Sequence, residues 1–246
     1  MRHPVAAADR PPGPVWNGPE SAAPNPDAVA AGDVTVVVPV APGDEPAFRR
    51  LHAQLAAISP DLAIVGRAEG SRARSLNAGA RAASTSCLWF LHADCAVTAA
   101  HLQHLLAAFA RAPMSLFFFD LAFMRDGPAL MRLNAWGGNC RARLFGLPFG
   151  DQGLAVSRRV WAALGGFPED VAYGEDHVFV WRAHLAGIPI RRIPVPLATS
   201  ARGYREGGWL RLTARRQYLW IRQALPFAAR LLGRRLGLVR ARERRS

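Results

Sequence analysis

The chain has 246 residues, half of them hydrophobic, which suits one globular domain with a tail or two. Its net charge is +13, all of the basic charge is Arg, and residues 202–246 alone hold 13 Arg against two Glu. The other 201 residues are therefore close to neutral, which argues against a nucleic-acid binder, and no apolar run is long enough to span a bilayer. The longest candidate, residues 114–124, is short and interrupted by Asp120.

Residues 1–31 are rich in Pro and Ala without a compact apolar segment, so they read as a disordered lead-in and not as a secretory signal. Cys87, Cys95 and Cys140 show no metal-ligand spacing and read as free thiols of a reducing compartment. A cytoplasmic protein is expected, with peripheral placement at the inner face of the membrane as the option that the tail leaves open.

Residues 34–40 are β-branched and close on a Pro-Gly turn, the pattern of a buried first strand. Phe48, Leu51, Leu55 and Ile58 share one helical face. A second short strand falls at 62–65, and the small residues of 77–83 suit a tightly packed helix. A third strand, Cys87-Leu88-Trp89-Phe90-Leu91, leads into His92. Thr98 is placed to cap a helix over 99–110. Strands follow at 115–123 and 154–156, then a short helix at 160–164 closed by Gly165-Gly166. A helix over 176–186 ends at Gly187, and a last strand covers 190–195. Strands alternating with helices imply a mostly parallel sheet covered on both faces. Beyond residue 201, Trp209, Leu210, Leu212, Leu219, Trp220, Ile221 and Leu225 alternate with Arg as in an amphipathic basic helix.

Five short motifs carry chemistry, and each has two readings on spacing alone. His92-Ala93-Asp94 lies at a strand end, where side chains two apart point the same way; it reads as a pair of metal ligands or as a turn cap. Gly150-Asp151-Gln152-Gly153 is a loop for close approach to a ligand, or an ordinary turn. Gly174-Glu175-Asp176-His177 opens a helix, so its acids serve as a general base or complement the helix dipole. Residues 71–79, with Arg72, Arg74 and Asn77, form an anion site at a helix start or a solvated basic loop. Arg202-Gly203-Tyr204-Arg205 is a flexible lid over a diphosphate, or a linker into the tail.

Taken in order, these motifs resemble the GT-A type nucleotide-sugar glycosyltransferases of family 2, over roughly residues 33–225. The opening strand Val36-Val37-Val38-Pro39-Val40, the Arg/Asn/Gly loop, the His-Ala-Asp motif, Gly150-Asp151-Gln152, Gly165-Gly166-Phe167-Pro168 and Glu175-Asp176 carry the resemblance. Their combination is similar to the subgroup labelled arsenosugar-biosynthesis-type. The resemblance implies an α/β GT-A (Rossmann-like) domain over 32–200, a mostly parallel sheet flanked by helices, followed by an Arg-rich helical segment over 201–246. It also implies an inverting glycosyltransferase that takes a sugar from a nucleoside-diphosphate donor to a hydroxyl acceptor.

Residue by residue, Asp94 with His92 would hold Mg²⁺ or Mn²⁺. Asp176 would be the base, in the company of Glu175. Asp151 and Gln152 would line the acceptor or the donor sugar. Arg72, Arg74 and Arg202 would face the diphosphate, with Asn77 and Pro39 on the donor side. The chain departs from the family between its second strand and Arg72, where Glu69-Gly70-Ser71 replaces a longer base-holding loop. The alternative reading is therefore a catalytically degenerate GT-A-like scaffold with a shortened nucleotide-base pocket. No nucleic-acid partner is expected, and the Arg-rich tail leaves peripheral membrane contact as an open option.

Overall fold

The structure is a computed structural model and describes residues 29–235. Six strands form one sheet in the order β2-β1-β3-β5-β4-β6. At one side of the sheet, β1 (Val34–Pro39) runs parallel to β2 (Ala63–Arg67) and to β3 (Cys87–Phe90). At the other side, β4 (Leu116–Phe123) runs parallel to β6 (Ile190–Thr199). Short β5 (Ala155–Ser157) joins the two halves and is antiparallel to both β3 and β4.

The apolar runs of β1, β3 and the first part of β4 are continuous because helices cover both faces, so neither side of these strands meets water. The period-2 alternation of a strand sorts them. Val36, Val38 and Trp89 enter one core cluster with Leu51 and Leu55 of α1 (Glu45–Ile58) and Leu102, Leu105 and Phe109 of α3 (Ala99–Arg111). Val37, Leu88 and Phe90 enter the other. There they meet Leu76 and Ala80 of α2 (Arg72–Ala82), Val160 of α5 (Arg158–Ala163) and Phe179 and Val180 of α6 (Glu175–Leu185). Gly79 of α2 lies so close to Val37 that an added Cβ would collide with it. That approach is what the small residues of this helix provide.

Helix α4 (Met131–Phe145) was not expected from the sequence. Only Met131, Gly138 and Ala142 are buried along it, while Leu133, Trp136 and Leu144 face outward, so its hydrophobic residues do not trace a core stripe. The last strand runs four residues further than expected, to Thr199. Pro194 and Pro196 do not end it, because β6 is an edge strand whose one strand neighbour among the described residues is β4, apart from a single bridge from Ala96 to Ala198, so a missing N–H on the outer edge leaves no ladder bond unmade. A register shift between Phe119 and Asp120 lets the two strands continue together.

The Asp120 carboxylate at this shift accepts from Arg192 (Nε to Oδ1 2.7 Å, Nη2 to Oδ2 2.5 Å) and from Arg143 of α4 (2.9 Å). After β6 come α7 (Arg202–Gly207) and α8 (Trp209–Arg235). Residues 202–207 are thus a short helix and not the flexible loop expected of a lid. The expected disordered segment 1–31 and the far end of the Arg-rich tail lie almost wholly outside the described residues. Among the described residues, no helix is long and apolar enough to cross a membrane.

Candidate active site

The C-terminal ends of β1 and β3 and the N-terminal ends of α2 and α6 converge on one region, as ligand sites of open α/β sheets do. Two cavities open there. The first, about 530 Å³, is walled by Pro39, Asp44, Ala68, Gly70 and Ser71. The second, about 780 Å³, lies among α4, α6 and α8, with Asp151, Tyr173, Asp176, Arg141, Arg216 and Trp220 in its wall. Arg72, His92 and Asp94 line both. These three residues are where the two spaces meet.

Arg72 is the first residue of α2, after Ser71, whose hydroxyl accepts from Arg74 N–H and so caps the helix. Its guanidinium lies against His92 Nε2 and pairs with Glu175 at 3.1 Å. The Glu175 oxygen in that pair makes no hydrogen bond, so the contact is an ion pair with poor directionality. Burial, then the charge of Arg72, lowers the His92 pKa to about 3, so its imidazole is neutral. Burial raises Asp94 above the ordinary carboxylate range, opposed by the hydroxyl of Thr199, which donates to Oδ1 at 3.0 Å.

The carboxylates of the second cavity are pushed apart. Asp176 accepts from Gly150 N–H (2.5 Å) and His177 N–H (2.9 Å). Burial works against its charge, but Arg72 and these two donors outweigh burial and keep it ionised. Asp151 is held up by burial, against the opposing pull of Arg141. Its Oδ1 is buried without a hydrogen-bond partner, and so is Arg141 Nη2. Glu175 is raised by burial and then by Asp176, against Arg72.

The expected site residues divide into two groups. Pro39, Arg72, His92, Asp94, Asp151, Glu175 and Asp176 line one or both cavities. Arg202 is near enough for its charge to act on Asp94, although its Nε is given to the Ser200 hydroxyl. The other three lie elsewhere. Asn77 is buried, and its amide clamps the Gly-Gly-Phe-Pro turn by accepting from Phe167 N–H (2.9 Å) and donating to Phe167 C=O (2.8 Å). Gln152 is fully buried and bridges Phe119 C=O (3.0 Å) and Phe149 N–H (3.2 Å). Arg74 faces Glu169 at 3.8 Å on the surface and lines neither cavity. Polar residues beside a ligand loop look alike in sequence whether they face the ligand or hold the loop.

Several wall residues were not anticipated. Arg141 lies over the Phe149 ring (3.4 Å to the centroid) and donates from Nε to Leu147 C=O (2.8 Å). Arg216 donates to the Tyr204 hydroxyl at 2.9 Å. Arg141 belongs to α4, the helix that periodicity does not reveal, and Arg216 is one of many arginines in a basic segment. His177 also borders the second cavity, but both of its ring nitrogens are engaged within the protein. It bonds Gln223 of α8 (2.9 Å) and accepts from Trp181 Nε1 (2.9 Å), tying α6 to α8.

A divalent cation would find a suitable donor here in Asp94. Among the described residues no three His, Cys, Asp or Glu side chains are grouped to hold a metal. Of the expected pair, His92 has its Nε2 against Arg72, and Asp94 supplies the carboxylate. One carboxylate is nevertheless a fitting donor for Mg²⁺ or Mn²⁺ when phosphate oxygens and water complete the shell.

Residues 37–153 match the family described as Glycosyl transferase family 2. Among solved structures, the chain is similar to S. aureus TarS 1-349, with 13% identity, a TM-score of 0.51, and 68% of this chain and 60% of that chain covered. The complex of that protein with UDP-GlcNAc matches with 14% identity and a TM-score of 0.51, covering 69% and 59%. Its complex with UDP gives 15%, 0.51, 69% and 60%. The chain thus spans about 60% of the length of these structures. The likeness shows that the fold is the GT-A fold. No curated protein matches the sequence.

Proposed function

We propose that the protein is a family 2 glycosyltransferase that moves a sugar from a nucleoside-diphosphate donor to a hydroxyl acceptor, inverting the anomeric carbon. The observation that carries this reading is the pair of cavities meeting at Arg72, His92 and Asp94. A two-substrate transfer needs one space per substrate, with the charges that stabilise the leaving group at their junction. The match to family 2 and the UDP and UDP-GlcNAc bound by the similar structures point to a nucleotide sugar as the donor.

The first cavity takes the nucleotide. The loop after β2 is short, yet Ala68, Gly70 and Ser71 still wall a space of a size typical for small-molecule sites. This favours a working pocket over a degenerate one. Arg72 stabilises negative charge as the diphosphate leaves. A cation held by Asp94 would supply further neutralisation of the diphosphate.

The acceptor lies in the second cavity. Asp176, ionised beside Arg72, takes the hydroxyl proton as the oxygen attacks. Asp151 and Arg141, each with an unpartnered buried atom, orient the acceptor through hydrogen bonds. Environments that push neighbouring acids apart in pKa assign them different roles. Inversion follows from a single displacement on the face opposite the leaving group.

The test is titration calorimetry of the whole chain with UDP and GDP, each with and without Mn²⁺, beside Asp94→Ala. Metal-dependent binding of one nucleotide that disappears in the variant is expected. A folded chain that binds neither nucleotide overturns the proposal.

A further inference from the structure

Helix α8 turns one side inward along its length and leaves the others outside. Trp220, Ala224, Phe227 and Leu231 pack against the core, while Trp209, Thr213, Arg216 and Gln217 wall the second cavity. At 3.6 residues per turn, Leu210, Tyr218, Ile221 and Leu225 fall within about 80° of each other on another side. They are 72%, 63%, 49% and 63% exposed, and Leu232 continues the line beyond Pro226 at 58%. No charged residue lies within this stripe. Beside it Arg211, Arg215 and Arg222 form an exposed row, within about 40° of one another.

A second uncharged stripe lies on α4, where Leu133, Trp136 and Leu144 are 55%, 70% and 75% exposed at helical spacing. The two helices are joined at Asn134, which donates to the Thr213 hydroxyl (3.1 Å) and accepts from Trp209 Nε1 (3.0 Å). Exposed apolar stripes on two joined helices exceed the scattered apolar residues of an ordinary soluble surface.

We infer that α8 and α4 form a docking face for an anionic bilayer surface. An aliphatic and aromatic stripe beside a row of arginines is the pattern of a helix lying in a headgroup layer, with its apolar side sunk among the acyl chains. The charge complements anionic headgroups, and the sequence beyond residue 235 adds further Arg to the same end of the chain. A protein partner would be served by the apolar stripe alone, and a nucleic acid by the arginines alone. The two together fit a lipid surface. This inference does not depend on the transferase reading.

The test is sedimentation of the full chain with vesicles of phosphatidylglycerol and phosphatidylcholine in equal parts, and with phosphatidylcholine alone. Binding is expected on the anionic vesicles, with weakening in about 1 M salt, where screening acts over about 3 Å. The double substitution Ile221→Glu with Leu225→Glu should lower affinity by about tenfold or more, since each removes a large apolar contact. Circular dichroism shows whether that variant keeps its fold.

A second readout leaves the apolar stripe of α8 unaltered. Brominated phosphatidylglycerol should quench the fluorescence of Trp136, taken as the difference from Trp136→Phe. The inference is overturned if neither vesicle binds, if the folded double variant binds anionic vesicles undiminished, or if the Trp136 signal is untouched. It is also overturned if the chain is a dimer that the double substitution dissociates, which would make a second copy the occupant.

Discussion

Asp176 and Asp151 are two residues of one type, on one cavity, in opposite electrostatic situations. Burial acts on both, but Asp176 has Arg72 and two backbone donors, whereas Asp151 has an oxygen with no donor at all. If Asp176 is the base, Asp176→Asn lowers kcat by about 10²–10⁴ with little change in acceptor KM. Asp151→Asn should act mainly on acceptor KM. Steady-state kinetics with varied acceptor separates the two, and equal kcat losses would remove the distinction. Asn77 makes the reverse case. Its amide satisfies both backbone groups of Phe167, so Asn77→Ala leaves a buried N–H and C=O unpaired and should cost about 2 kcal/mol in urea unfolding. Nucleotide affinity should stay near that of the parent chain. A large loss of nucleotide affinity at unchanged stability would return Asn77 to the donor site.

At the scale of elements, the seam between β4, β6 and α4 rests on Asp120. Burial pulls its pKa up, but the hydrogen bonds from Arg192 and Arg143 outweigh that and hold it below its ordinary value of 3.8. A carboxylate with a lowered folded-state pKa stabilises the fold fully above the unfolded value. That stability is lost as pH falls through the folded value. Asp120→Ala should therefore cost about 2 kcal/mol at neutral pH, given two half-exposed arginine partners. The gap from the parent should close as denaturation is repeated below pH 4. A gap independent of pH would mean that packing, and not the ion pairs, sets the cost. The strands of this seam were legible as apolar runs. Its register shift was not, because pairing between β4 and β6 joins residues about 70 apart in the chain, which no local pattern records.

For the whole molecule, both cavities are walled by residues from several elements of one fold, so on the proposed function a ligand bound there stabilises the fold as a whole. A ligand that binds only the folded state at a hundred times its Kd stabilises it by about 2.7 kcal/mol. For a chain of this size that corresponds to a rise in Tm of roughly 5–10 °C. UDP or GDP with Mn²⁺ should produce such a rise in a thermal melt, and Asp94→Ala should abolish it. A parent chain with no shift from either nucleotide counts against the donor cavity.

The sequence by itself determined the α/β alternation, because buried strands and amphipathic helices carry their periods in local order. It also determined where the acidic motifs fall, after β3, before β5 and at the start of α6, and these residues do gather on one region. Tertiary structure alone decided the rest. Asn77, Gln152 and Arg74 turned away from the cavities, and His92 turned toward Arg72. Arg141 arrived from α4, a helix whose apolar side faces outward. The reason is physical. Whether a polar side chain meets a ligand or a backbone group depends on what neighbours remote elements bring to it, and no local spacing encodes that.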